Sequence, residues 1–436
     1  MYSKKVLDEL WKRNIEIGDR IAIEFGGKEN CGVLLENFSE NTDIIEIKLD
    51  NGYNVGIKFN ESIRLVKKKA GKTGNVESEE SDERYKISVL MFGGTISSKV
   101  EYTTGAVFPA TSPSEFREAF PELKGFGGAG FRNVMSLLSE DMNTKHWEIM
   151  GKEIYDEIKR GKPVVATHGT DTMGYSAAAL SFMIQNPNVP IVFTGAQRSS
   201  DRGSSDAKEN MLNAAYYASE GRPGVFVCMH ASTNDGPAYI HLGTRVRKMH
   251  TSRRDAFKSV NVPPVATVDY SKKRIEYTAW EWEMRKGEMK FAPGFSDNVA
   301  MLYIHPGIKP EIVRKFSEYD GVVLLVTGLG HVPTNPFGDK HAKPIINEVG
   351  ELVDSGVVVV AAPQTINGRL NLNVYTAGRM LKEKGVIGHG CDWLPETAFV
   401  KLCWVLGQTK EKKKVEELMY MNIAGELSER SQYVDF

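Results

Sequence analysis

Cysteine is scarce in this chain of 436 residues, and the four present, Cys31, Cys228, Cys391 and Cys403, form no CxxC pair. That scatter excludes a zinc ribbon and indicates no disulfide framework, so a reducing cytoplasm is the expected compartment. The nine histidines fall into no metal-ligand spacing, and no metal is expected. No apolar run approaches the ~18 residues of a spanning helix, so no membrane association is expected. Met1 to Asn14 carries charges where a signal peptide has an apolar core, which places the expected mature start at or near Met1. A formal net charge of -1 argues against nucleic-acid binding by bulk electrostatics and leaves only a local patch for that purpose. Internal repeats are missing too. Neither Gly93-Gly94 nor Gly328-Leu329-Gly330 completes the GxGxxG fingerprint, which sets a dinucleotide fold aside.

What is present divides into unequal parts. After a first helix, residues Gly18 to Val66 contain short alternating segments at Arg20–Phe25, Cys31–Leu35, Ile44–Leu49 and Tyr53–Phe59, with an Asp50-Asn51-Gly52 hairpin turn between the last two. Residues 1–66 are therefore expected to form a small β-barrel domain of the SH3 or Tudor kind. Lys67 to Tyr85 is charged and almost free of apolar residues, as a mobile linker would be. From Lys86 onward, apolar runs at Ile87–Phe92, Val164–Thr167, Pro190–Thr194, Gly224–Met229, Val322–Thr327 and Val357–Ala362 are interleaved with helical patterns. Strands separated by helices predict an α/β body with parallel strands and right-handed crossovers. A mixed polar stretch near Trp280 to Asn298 splits it into a larger lobe, 86–285, a link, 286–298, and a smaller lobe, 299–436.

Two strand ends carry nearly the same device, Gly93-Gly94-Thr95 and His168-Gly169-Thr170-Asp171. In a parallel sheet both emerge on one edge, where open α/β sheets keep their sites. Glycine turns let a substrate approach the backbone and aim N–H groups at a developing oxyanion, as acyl transfer requires. Taken singly, each turn reads as an ordinary turn or cap. The pair, with an acid beside the second threonine, raises the functional reading above that. A threonine hydroxyl needs a base, for which Asp171 is adjacent; His168 is more simply a group that holds the turn.

These motifs resemble the bacterial-type L-asparaginase family. The resemblance rests on Phe92-Gly93-Gly94-Thr95-Ile96, Tyr102-Thr103-Thr104-Gly105, Ser139-Glu140-Asp141-Met142 and His168-Gly169-Thr170-Asp171-Thr172-Met173. It extends through Thr194-Gly195-Ala196-Gln197-Arg198, Phe257-Lys258-Ser259-Val260 and Leu394-Pro395-Glu396-Thr397-Ala398. It implies a two-lobed asparaginase-like body, with Thr95 as nucleophile, Tyr102 its neighbour on a lid, and Gly94 in the substrate-binding turn. Ser139 would bind the substrate α-carboxylate and Asp171 its α-amino group. Thr170, Asp171 and a lysine would form the second catalytic cluster. Counting back from Phe257 selects Lys248, in a run crowded by Arg247, Arg253 and Arg254. Glu140, beside Ser139 in the substrate-binding set, stands where many secreted asparaginases have glutamine, so side-chain preference does not carry over.

A small barrel and linker ahead of such a body resemble the D subunits of archaeal glutamyl-tRNA(Gln) amidotransferases. That resemblance implies a glutaminase passing ammonia to a GatE-type subunit, which uses ATP and Mg²⁺ to amidate glutamate on tRNA(Gln). It also implies no cofactor in this chain, a homodimer within a heterotetramer, and tRNA contact mainly through the partner. Two rivals stand beside it: a stand-alone asparaginase with an accessory domain, and a non-catalytic RNA-binding protein working through barrel residues such as Phe25, Tyr53, Phe59, Lys48 and Lys58.

Overall fold

The computed structural model describes residues 2–35, 37, 41–49, 54–68, 85–94, 96, 98–100, 107–109, 116–117, 120–198, 205–280 and 287–431. Near the N-terminus, the helix Lys4–Lys12 is capped by Ser3, whose Oγ accepts from the Val6 N–H at 3.3 Å. It packs Val6 and Leu10 against Ile21, Ile23, Leu34, Ile45, Ile47 and Ile57 of an antiparallel sheet. The spatial order of its strands is Asn54–Lys58, Ile44–Leu49, Lys28–Leu34, Arg20–Phe25 and Arg64–Lys67. The Asp50-Asn51-Gly52 turn lies outside the described residues, but the strands flanking it pair antiparallel, Ile44 opposite Lys58. Most of the expected linker also lies outside the described residues.

The body begins with the strand Ile87–Met91, all five residues buried, as expected of a strand covered on both faces. It joins an eight-stranded sheet. Ala129–Asn133, Ile87–Met91, Val164–Thr167, Pro190–Thr194 and Gly224–His230 run parallel, in that order. Beyond them Ala238–Leu242, Ala266–Asp269 and Arg274–Tyr277 are antiparallel. The sheet is thus mixed, whereas helix alternation predicts parallel strands. Connections without crossover helices join the strands at that edge; one is the tight turn Tyr270–Lys273, whose Lys273 has φ +52°.

The second sheet has three parallel strands, Val299–Tyr303, Gly321–Val326 and Val358–Pro363. Its helix Pro395–Gln408 lies against Met173–Met183 of the first lobe, where Trp404 stacks on Phe182 with ring centroids 6.0 Å apart. Both sheets and both helices contribute to one apolar cluster. The polar stretch between the sheets holds a two-residue strand, Lys290–Phe291, paired antiparallel with Ile184–Gln185.

Candidate active site

Strands Ile87–Met91 and Val164–Thr167 are adjacent and parallel, with Met91 opposite Thr167, so the two glycine turns leave the sheet side by side. Their backbones nearly touch. Gly94 has φ +89°, and a Cβ there would lie 2.4 Å from the Gly169 nitrogen. A third turn closes on the pair, because a Cβ on Gly169 would lie 2.6 Å from Ser139 Cβ. Only glycine permits this convergence, which puts backbone N–H groups of one turn beside the side chains of another.

Thr172 occupies the N-cap position of the helix Met173–Met183, yet its hydroxyl donates to the Ser139 carbonyl at 2.6 Å instead of capping the helix. Ser139 is consequently buried and locked to the Thr170-Asp171-Thr172 turn. Glu140 follows it and is exposed.

Lys248 enters from a separate hairpin, Val246–Lys248 against Phe257–Ser259. Its Nζ donates to Thr170 Oγ1 at 2.9 Å and to Asp171 Oδ1 at 2.8 Å. The lysine side chain is 13% exposed while that of Asp171 is 66% exposed, so the cluster opens toward solvent on the carboxylate side. Since the ammonium occupies the lone pair of Oγ1, the Thr170 hydroxyl hydrogen points elsewhere and can itself donate. The structure thus brings together Gly94, Ser139, Thr170, Asp171 and Lys248, and sets Glu140 on the rim. Thr95 and Tyr102 lie outside the described residues.

The crowded basic run is sorted by partners. Arg247 pairs with Glu396 at 3.4 Å, Arg253 with Asp255 at 2.7 Å, and Arg254 contacts Asp235. Arg245 is buried against Asp392 and the Gly425 carbonyl. Of these cations, Lys248 is the one that meets the Thr170-Asp171 turn.

Two residues without any motif signal hold this turn from behind. Trp147 Nε1 donates to Ser176 Oγ at 3.1 Å, and Ser176 Oγ lies 2.8 Å from His168 Nε2. His168 Nδ1 is 2.6 Å from the Gly169 carbonyl, which requires the proton on Nδ1 and leaves Nε2 to accept from Ser176. Every member of this buried chain is thereby satisfied. Burial lowers the His168 pKa from 6.5 to about 4, against the opposing pull of the Gly169 carbonyl. The ring therefore stays neutral through physiological pH and positions Gly169 without moving protons. A depressed histidine value means that the unfolded chain binds the extra proton first, so stability is lost as pH falls from 6.5 toward 4, on the order of 3 kcal/mol. An NMR titration of the His168 ring should show a midpoint near 4; one near 6.5 would mean that the ring is solvated.

Comparison with known proteins agrees with this architecture. Residues 86–281 match the family model "Asparaginase, N-terminal", residues 298–419 match "Glutaminase/Asparaginase C-terminal domain", and residues 15–66 match "GatD N-terminal domain". The glutamyl-tRNA(Gln) amidotransferase D subunit of Methanosphaera stadtmanae is 39% identical over 98% of this chain and 97% of its own length. That of Methanopyrus kandleri is 41% identical over 98% of this chain and 94% of its own. Among solved structures, the thermostable L-asparaginase of Thermococcus kodakarensis is 31% identical, with a TM-score of 0.70 over 79% of this chain and 100% of that one. L-asparaginase I of Vibrio cholerae is 27% identical, with a TM-score of 0.66 over 79% of this chain and 99% of its own.

Proposed function

Because this chain belongs to the family of glutamyl-tRNA(Gln) amidotransferase D subunits, we propose that it is the glutaminase component of such an enzyme, releasing ammonia from glutamine for a partner protein. Thr95 Oγ attacks the side-chain amide carbon, and the hydroxyl proton leaves with the amide nitrogen as ammonia. Water then cleaves the glutamyl ester, giving glutamate and restoring the hydroxyl. Backbone N–H groups of the Gly93-Gly94 turn stabilise the oxyanion, and Tyr102 assists Thr95 in the reaction. Ser139 and the exposed carboxylate of Asp171 hold the α-carboxylate and α-amino groups, with Glu140 at the rim. The observation that carries this reading is the Lys248 bridge to Thr170 and Asp171 beside that turn, a cation placed to ease proton movement.

In this reading residues 1–66, 67–85, 86–285, 286–298 and 299–436 are the small β domain, linker, larger lobe, link and smaller lobe. The chain acts in the cytoplasm without a cofactor of its own, as a homodimer within a heterotetramer. ATP and Mg²⁺ work in a GatE-type partner, which also contacts most of the tRNA(Gln). Among the described residues no helix is long and apolar enough to cross a membrane. The likeness to two asparaginases favours one competing reading, a stand-alone asparaginase. The deciding experiment measures ammonia release from glutamine and asparagine by the purified chain, alone and with the GatE-type partner and charged tRNA. Glutamine hydrolysis stimulated by the complex is expected. Rapid asparagine hydrolysis indifferent to any partner would reverse the assignment.

A further inference from the structure

Away from the threonine turns, the same sheet edge holds a polar cluster that the proposed reaction does not use. His230 ends the strand Gly224–His230 and is 1% exposed. Its Nδ1 lies 2.6 Å from Asn210 Oδ1. The Asn210 amide nitrogen donates to the Gly195 carbonyl at 2.9 Å and to Asp206 Oδ2 at 3.0 Å, so Oδ1 is the acceptor and the histidine proton sits on Nδ1. His230 Nε2 is then a bare lone pair, buried and without a hydrogen-bond donor.

That lone pair faces another acceptor. Glu209 Oε2 is 3.3 Å away and already accepts from the Gly236 N–H at 2.7 Å. Asp235 completes the group, and the ligand atoms of the three residues lie within 4.8 Å of one another. Arg254 contacts Oδ1 of Asp235, which leaves the second carboxylate oxygen for another cation. Two electron-pair donors opposed at this distance are unfavourable unless a proton or a metal cation lies between them.

The ligand types, together with one short spacing, indicate what kind of cation. Ligand atoms about 2.0–2.1 Å from zinc, at a tetrahedral angle, stand about 3.3–3.4 Å apart, which matches the 3.3 Å between Nε2 and Oε2. Imidazole with carboxylates suits a first-row divalent ion better than Ca²⁺ or Mg²⁺. The outer hydrogen bonds are also those of a metal-bound histidine: the far ring nitrogen donates to Asn210, itself anchored on Asp206. Asp235, with a side chain 73% exposed, provides the entry path. Burial lowers the affinity of the ring for a proton, against the attraction of Asp206 and Glu209.

We propose that Glu209, His230 and Asp235 bind one divalent transition-metal ion, with Zn²⁺ as the probe, leaving a fourth position to water. The ion would brace the helix Ala207–Glu220, the end of the Gly224–His230 strand and the loop to Asp235. Through Asn210 it would also steady Gly195, where a Cβ would lie 3.2 Å from Thr170 Cγ2. Its role is positional, since it touches no reacting atom.

The test uses the tag-free full chain stripped with a chelator. Zn²⁺ binding is followed by calorimetry and by melting temperature, and Co²⁺ substitution by visible absorption. One equivalent is expected, with a melting temperature raised by several degrees and ligand-field bands of a low-symmetry site. Asp235→Asn, which removes the charge at an exposed position while keeping the side-chain shape, should weaken binding at least about tenfold and abolish the melting shift, as should Glu209→Gln. Substoichiometric binding by the wild type, or binding that both variants retain, would overturn the proposal, the first outcome pointing to a proton in place of the metal and the second to an ion held elsewhere.

Discussion

Replacing Lys248 with methionine is expected to lower glutamine hydrolysis by about 10²–10⁴-fold while leaving the unfolding midpoint close to that of the wild type. The ammonium makes two charge-assisted contacts, to Thr170 Oγ1 and Asp171 Oδ1, and the Asp171 carboxylate, 66% exposed, stays hydrated when it is removed. The loss should therefore appear in kcat. Lys248→Arg should not restore it, because a planar guanidinium cannot place one nitrogen where Nζ now meets both oxygens. Thr170→Ala and the double variant Thr170→Ala with Lys248→Met should each cost about as much as Lys248→Met alone, since residues acting as one unit are not additive. Thr95→Ala sets the floor, at background turnover. Steady-state kinetics with the folded variants would decide. Retained turnover in Lys248→Met would remove the lysine from the mechanism, and retained turnover in Thr95→Ala would remove the nucleophile.

Glu426→Gln should destabilise the protein by about 3–5 kcal/mol, the largest effect on folding expected of a single change here. Lys401 and Glu426 are both fully buried and joined at 2.6 Å. The ammonium also donates to the carbonyls of Met419 and Met421, and the carboxylate accepts from the N–H groups of Ile423 and Ala424. Each charge is therefore saturated in the fold, and removing one leaves the other without compensation. Burial raises the Glu426 pKa, but the Lys401 charge and these hydrogen bonds outweigh it and hold the group below 4.5. A depressed carboxylate contributes stability that is present above its unfolded value and lost as pH falls through its folded one. The wild type should then weaken in two acid steps, His168 between 6.5 and about 4 and Glu426 below 4.5. Urea denaturation across pH would resolve them, with the lower step missing in Glu426→Gln. Lys401→Met combined with Glu426→Gln should cost less than the sum of the single changes, because the pair leaves no orphan charge.

Much of the fold was legible in local pattern. The buried runs at Ile87–Met91, Pro190–Thr194 and Gly224–His230 are strands because apolar residues of that length, bounded by glycine or polar turns, bury both faces. The helix Thr144–Lys159 is also written locally, in an amphipathic pattern with an Asn143 capping box. The antiparallel edge is not, because a strand's direction depends on the length and path of its connection and not on its own residues.

By itself the sequence determined that two glycine turns would follow two strands, and which small polar residues each would carry, since those are properties of consecutive residues. It also supplied Lys248, through counting along a resemblance. Only the tertiary structure decided which cation of the crowded run meets the Thr170-Asp171 turn. Lys248 and Asp171 lie 77 positions apart, and the contact depends on where the Val246–Lys248 hairpin packs. Arg245 instead turns away to Gly425, 180 positions on, because the second lobe encloses it. Trp147, Ser176 and His168 likewise become one chain only when two helices and a strand end are stacked. Local alternation specifies elements, but convergence of distant side chains comes from sheet order and lobe packing, which no short window of residues contains.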